Sequence, residues 1–120
     1  MHFALSEEQI AIYDMARAFA EEHIAPNARQ WDRDGDIPRA LWLRLAELGF
    51  GGLYVSEESG GSGLSRLDST LVFEGLSRAC VSVAAFLSIH NMCASMLDRF
   101  GDQQLKDQFL APSISMDTII

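Results

Sequence analysis

The sequence predicts an all-α bundle of about six helices, and three observations support this fold class. A chain of 120 residues with 48% hydrophobic and 22% charged residues is typical of one globular domain with a single core. Apolar residues recur at helical spacing along most of its length. Capping boxes at Ser6 and Ser65 mark two helix starts, and almost no segment has the length and alternation of a strand.

The first segment is predicted to form two helices separated by a proline. Ser6 followed by Gln9 is a capping box, so a helix should begin at Glu7. Pro26 has no amide hydrogen, and we expect it to end that helix and open a short second one that runs to Trp31. The apolar stripe of the first helix comprises Ile10, Tyr13, Ala16, Phe19, Ala20 and Ile24.

A third helix should follow the turn at residues 32–36, beginning at Pro38 and stopping at Gly49, which can adopt the left-handed conformation. Its shared face comprises Leu41, Leu45 and Leu48. Residues 50–55 are too short and glycine-rich for more than an extended connector, and residues 59–63 should form a flexible loop. Ser65 and Asp68 form the second capping box and open a fourth helix.

Two further helices complete the predicted bundle. Residues 82–100 form the most apolar candidate, and we expect this helix to be central. Its apolar face, which should point into the core, comprises Phe86, Ile89, Cys93, Met96, Leu97 and Phe100. Asp102 should cap a last helix over residues 103–110, which Ala111 and Pro112 end. The predicted domain therefore covers residues 1–112.

The charge and the cysteines exclude several functions. A net charge of −8, with nine scattered Lys and Arg residues, argues against nucleic acid and anionic membranes as partners. Cys80 and Cys93 are far from any second pair, so neither a metal site nor a disulfide framework is predicted. The amino terminus lacks a secretory signal or transit peptide, and the most apolar run, residues 79–87, is too short to span a bilayer. These features favour a cytoplasmic protein.

The candidate catalytic residues mostly have simpler explanations. The glycine-rich loop at residues 60–63 follows no useful strand and precedes no lysine, so it is better explained as a turn than as a phosphate site. His90 lies in the apolar helix, where Asn91 and Ser88 could satisfy its ring, and a core role is favoured. Glu74 stands four residues before Arg78, which predicts an ion pair rather than a general base.

The fifth helix also carries a face of small or weakly polar residues. This face lies opposite Phe86, so it should point away from the core, and it comprises Ala84, Ser88, Asn91, Met92 and Ser95. Small side chains allow close approach, so the face could wall a cavity or receive another domain. From the pattern alone, packing against Leu67 or Phe73 of the fourth helix is an equally good explanation.

Several motifs in order resemble the opening of acyl-CoA dehydrogenases. They are Ile24-Ala25-Pro26-Asn27-Ala28, Trp31-Asp32-Arg33-Asp34-Gly35-Asp36-Ile37-Pro38 and Leu48-Gly49-Phe50-Gly51-Gly52-Leu53. The stretches at residues 60–68 and 88–94 are similar to the isobutyryl-CoA dehydrogenase branch in particular. A departure occurs at Val55-Ser56, where relatives often carry a proline.

The resemblance implies the amino-terminal helical domain of a three-domain flavoenzyme. FAD, the catalytic glutamate, the middle β-domain and the second helical domain would lie outside these residues, with residues 113–120 as a truncated link. The resemblance further implies acyl-CoA as substrate and electron-transfer flavoprotein as acceptor. Neither catalytic nor flavin-binding residues are expected in this chain, which alone should hold no FAD and be inactive.

In relatives, the helix that corresponds to residues 82–100 lines the acyl end of the substrate pocket. Position by position, the resemblance places this wall at Ala84, Ala85, Ser88 and Met92. The apolar surface that would meet the missing domains should make the isolated chain self-associate. The alternative is a stand-alone helical interaction module that has kept the fold and lost the chemistry.

Overall fold

The computed structural model describes residues 2–120, which contain helices and turns but no β-strand. The α-helical segments are α1 (Glu7–Phe19), α2 (Ala28–Asp34), α3 (Arg39–Glu47), α4 (Arg66–Ser77), α5 (Val81–Phe100), α6 (Gln103–Leu105) and α7 (Ala111–Ile114). A π-helical turn, Lys106–Leu110, joins α6 to α7 without a break, so residues 2–120 form six helical rods. The predicted all-α fold and helix number are confirmed.

The two predicted capping boxes are present. Ser6 Oγ accepts from the Gln9 amide at 3.1 Å, while Gln9 Oε1 accepts from the Ser6 amide at 3.0 Å. Ser65 and Asp68 make the equivalent pair of bonds at the start of α4. These bonds link residues three positions apart, so the local sequence is sufficient to determine them.

Pro26 separates the first two helices, as predicted. α1 first continues into a π-helical turn, Ala20–Ile24, which is closed by the Ala25 amide donating to Ala20 O at 2.8 Å. α2 then extends beyond its predicted end at Trp31 to Asp34, where Gly35 has a left-handed φ of 66°. The predicted turn at residues 32–36 is therefore largely helical.

The extended connector predicted for residues 50–55 is wrong, whereas the flexibility predicted for residues 59–63 stays a prediction. Phe50–Gly52 and Glu57–Ser59 are short 3₁₀ turns. The Ser62 amide donates to Gly52 O at 2.8 Å, and the Gly63 amide donates to Val55 O at 2.9 Å. A Cβ at Gly61 would lie 2.3 Å from Val55 O, so glycine is needed for the two passes of the chain to meet.

The carboxyl-terminal helical rod continues through Pro112 to Ile114, whereas we expected it to end at Ala111-Pro112. Pro112 lies in the first turn of α7, where a missing amide hydrogen matters little. Ser113 and Met116 are fully buried, so this stretch packs against the helices. A domain boundary at residue 112 in a longer protein stays a prediction.

The helices pack as a slab of 44 × 40 × 19 Å. An α-helix with side chains is about 10–12 Å across, so the slab is two helices thick. α4 contacts both α1 and α5. At Gly75 a Cβ would lie 3.0 Å from Ala16 Cβ, which shows how closely α1 and α4 approach. The main core includes Ala16, Ile24, Leu41, Leu45, Phe50, Leu53, Val72, Leu76, Val83, Leu87 and Met116.

Arg78 does not form the predicted pair with Glu74. Its Nη1 donates to Tyr13 Oη at 3.3 Å, and the ion pairs found within residues 2–120 do not include Arg78 with Glu74. The side chain therefore links α4 to α1 instead of bracing its own helix.

Candidate functional site

α5 turns its apolar stripe towards solvent, so the predicted core face of this helix is wrong. Ile89 is 56% exposed, Met96 55% and Phe100 78%. Phe86 is also exposed in part, although its ring packs on Trp42 with centroids 4.7 Å apart. We call the exposed stripe the outer face of α5, and it comprises Val81, Ala85, Ile89, Met92, Met96 and Phe100.

The four predicted wall residues do not share one environment. Ala85 and Met92 lie on the outer face, and Ser88 is half-buried beside them, with its hydroxyl donating to Ala85 O at 2.8 Å. Ala84 is only 5% exposed and packs in the main core. The expectation that Ala84 points away from the core is therefore wrong. Whether the four residues contact an acyl chain stays a prediction.

Two polar residues on the buried side of α5 are fully buried and bind the chain at residues 50–53. Asn91 Oδ1 accepts from the Leu53 amide at 2.7 Å, and its Nδ2 donates to Phe50 O at 2.9 Å. His90 Nε2 lies 3.1 Å from Gly51 O. The core role predicted for His90 is confirmed, although backbone carbonyls satisfy its ring in place of Asn91 and Ser88. Burial lowers the pKa of His90, and its bonds to carbonyls oppose that shift.

A groove of about 680 Å³ lies where α2, α3 and the start of α5 meet. Trp31, Trp42 and Phe86 line it, and Arg29 and Asp32 lie at the same groove. No pattern in the sequence predicted this groove. The two tryptophans were the available signal, because large aromatic side chains are common in binding surfaces.

A second, polar depression of about 510 Å³ surrounds Asp98 at the other end of α5. The Asp98 carboxylate accepts from the Ser56 amide at 2.9 Å and from Ser59 Oγ at 2.5 Å. Burial favours a raised pKa, but these bonds and Lys106 at 3.8 Å outweigh it and lower the pKa of Asp98. The carboxylate therefore serves to hold the loop at residues 56–59.

The described residues offer little for a metal or a flavin. Across residues 2–120 there is no group of three His, Cys, Asp or Glu side chains that could hold a metal ion. In the same range every deeply buried side-chain nitrogen and oxygen already has a hydrogen-bond partner. With a net charge of −8 as well, these residues present no unpaired buried side-chain donor that could hold the phosphates of FAD.

α5 is long and apolar enough to cross a membrane by length and composition alone. A core helix of a globular domain passes the same test. The bonds from His90 and Asn91 to residues 50–53 are those of a helix that is packed within its own domain.

Comparisons with known proteins agree on one family. Residues 6–117 match the family described as acyl-CoA dehydrogenase, N-terminal domain. The chain is 47% identical over 115 residues to a mitochondrial isobutyryl-CoA dehydrogenase of Dictyostelium discoideum, covering 96% of this chain and 28% of that protein. It is 42% identical over 113 residues to the Bos taurus isobutyryl-CoA dehydrogenase, covering 94% and 27%.

Solved structures show the same relationship. Butyryl-CoA dehydrogenase from Megasphaera elsdenii superposes with a TM-score of 0.85 at 31% identity, covering 99% of this chain and 32% of that one. A glutaryl-coenzyme A dehydrogenase in complex with glutaryl-CoA gives a TM-score of 0.90 at 28% identity, covering 99% and 31%. The chain thus spans about three tenths of the length of the proteins it matches.

Proposed function

Because the chain belongs to the acyl-CoA dehydrogenase family, as its amino-terminal helical domain, we propose that it walls part of the acyl pocket in a dehydrogenase for short branched acyl-CoA thioesters. Such an enzyme removes the α-proton and the β-hydrogen of the thioester and yields an enoyl-CoA. The observation that carries the substrate class is the 47% and 42% identity to two isobutyryl-CoA dehydrogenases.

The outer face of α5 is the surface best suited to form the wall of the acyl pocket. It is apolar and exposed along its length, whereas most of the apolar stripes of α1, α3 and α4 are buried in the main core. Ala85 leaves room beside the helix, and Met92 supplies a flexible side chain that adapts to the shape of a neighbour. Ser88 lies between them. Ala84 supports this wall from behind through its packing in the core.

The redox chemistry would come from the rest of the complete enzyme. FAD would accept the β-hydrogen as hydride, and a glutamate of another domain would take the α-proton. The residues described here would position the acyl tail and exclude water from the space around it.

Electron-transfer flavoprotein is the proposed acceptor of the electrons from the reduced flavin. The chain alone is expected to hold no FAD and to be inactive. The two relatives above are mitochondrial proteins, whereas a cytoplasmic location is proposed for this one.

Two experiments test the proposal. The first is to sequence the gene beyond the codon for Ile120, where a reading frame that encodes a β-domain supports an enzyme. An immediate natural stop would instead favour the helical interaction module. The second is to assay the complete protein with isobutyryl-CoA and butyryl-CoA. A higher kcat/KM for the branched thioester supports the proposal, and equal or reversed values would overturn the substrate class.

A further inference from the structure

His90 brings together three segments that are distant in the sequence. Its Nε2 lies 3.1 Å from Gly51 O and 3.0 Å from Ser113 O, and its Nδ1 lies 3.4 Å from the Ile120 amide nitrogen. Carbonyl oxygens only accept, so Nε2 must carry the hydrogen. The Ile120 amide donates, so Nδ1 must keep its lone pair. The neutral ring with its hydrogen on Nε2 is therefore the one form that satisfies all three contacts.

The segment held by this ring is strained and closely packed. Met116 is fully buried and has a φ of 58°, a left-handed conformation that is unfavourable for a residue with a Cβ. Arg39 Nη2 donates to Asp117 O at 2.6 Å from the opposite side. At Gly51 a Cβ would lie 2.1 Å from Ile114 O, so the absence of a side chain there lets α7 approach. Local hydrogen bonds, from the Met116 amide to Ser113 O and from the Thr118 amide to Pro112 O, both at 3.0 Å, hold this conformation together with the contacts to the domain.

We propose that residues 113–120 form a latch that neutral His90 closes and that protonation of His90 releases. With a proton on Nδ1, the ring N–H and the Ile120 amide N–H would face each other as two donors without an acceptor between them. Opening of the latch would expose the ring to water, where an imidazolium is well solvated. The expected consequence is that mild acid controls how firmly this stretch is docked, while the helices α1 to α5 stay folded.

Few other charges act on the ring in the relevant pH range. The turn Phe50–Gly52 and α7 carry no titratable side chain. In residues 115–120 the titratable side chain is Asp117, which accepts a bond from Ser115 Oγ at 2.7 Å. On α5 itself the nearest titratable groups along the sequence are Cys93 and Asp98, and Asp98 is bound to Ser56 and Ser59.

The direction of the pH effect follows from the burial of the ring. Burial lowers the pKa of His90 in the closed state, and the ordinary value of 6.5 applies when the latch is open. The open state therefore binds the proton more readily, so the latch is stable above about pH 6.5 and loses stability as the pH falls below it. Between about pH 7.5 and about pH 5.5 the opening equilibrium should therefore rise, by about tenfold at most.

Amide hydrogen exchange of the 120-residue chain, followed by NMR, tests the latch. After correction for intrinsic rates, opening at Met116, Thr118 and Ile120 should increase, by about tenfold at most, from about pH 7.5 to about pH 5.5, relative to core amides of α1 and α4. Nitrogen shifts of the His90 ring should show the hydrogen on Nε2 at the higher pH. Equal pH dependence in the latch and the core, or a hydrogen on Nδ1, would overturn the proposal.

Two matched variants separate His90 from other acid effects. His90→Gln keeps a side-chain donor but does not titrate in this range, so the latch should lose its differential pH response. His23→Gln removes the imidazole of His23, which lies 3.0 Å from Arg44 Nη1, well away from the latch in sequence, and should leave the response unchanged. Loss of the response in His23→Gln, or its survival in His90→Gln, contradicts the latch. The wild-type measurements decide the question if His90→Gln does not fold.

Discussion

Replacement of Asn91 by alanine should cost a large part of the stability of this domain. Asn91 Oδ1 accepts from the Leu53 amide at 2.7 Å, and Nδ2 donates to Phe50 O at 2.9 Å and to Leu87 O at 3.0 Å. Leu87 O also belongs to the helical ladder of α5, so its loss is minor. The Leu53 amide and the Phe50 carbonyl would be left in the core without this partner.

The expected magnitude follows from those two groups. An unsatisfied buried donor or acceptor costs about 1–3 kcal/mol, and the space left by the amide adds a further cavity cost. We expect Asn91→Ala to lower the free energy of unfolding by about 4 kcal/mol, which is large against the usual total of about 5–15 kcal/mol.

Urea denaturation followed by circular dichroism is the assay, with Asn27→Ala as the matched control. Asn27 is exposed, and its Nδ2 donates to His23 O at 3.2 Å, so its loss should cost less than about 0.5 kcal/mol. A loss below about 1 kcal/mol for Asn91→Ala, with the m-value unchanged, would refute the reasoning. An equal loss in both variants would do the same.

Three further outcomes are expected. Ala84→Leu should destabilise the chain by about 1–3 kcal/mol in urea denaturation because it overpacks the core, whereas Ala85→Leu on the outer face should change stability by less than about 0.5 kcal/mol; equal losses would contradict this placement. Gly61→Ala should lower the melting temperature, because its Cβ would meet the Val55 carbonyl at 2.3 Å, and an unchanged melting temperature would argue against that contact. The isolated chain should self-associate through the outer face of α5 in sedimentation velocity at high concentration, and Ile89→Glu should reduce this; a monomeric wild type would disprove it.

Local signals in the sequence were sufficient for most helix boundaries. The capping boxes at Ser6 and Ser65 and the left-handed Gly49 each depend on residues within a few positions. Pro112 gave a wrong end for the last helix, because a proline is tolerated in the first turn of a helix. α7 begins directly after a π-helical turn, and the sequence carries no signal for that turn.

The orientation of α5 could not be obtained from periodicity. This helix is apolar on most of its circumference, so a stripe through Ile89 and Met96 and one through Val83 and Leu87 both fit a helical repeat. The true core side also carries His90 and Asn91, which lowers its apparent hydrophobicity. Their partners are backbone groups of residues 50–53, which lie about 40 positions away in the sequence. Such long-range bonds leave no local signature.

The most direct test of the pocket wall is the kcat/KM of the complete enzyme for isobutyryl-CoA after Ala85→Leu, with Ala11→Leu as control. Both alanines are exposed on helices of this domain, and only Ala85 lies on the outer face of α5. If that face contacts the acyl tail, Ala85→Leu should lower kcat/KM at least tenfold, or about 1.4 kcal/mol in transition-state binding, with an unchanged melting temperature. Ala11→Leu should change neither quantity. An Ala85→Leu enzyme with wild-type kcat/KM would show that the outer face of α5 does not wall the acyl pocket.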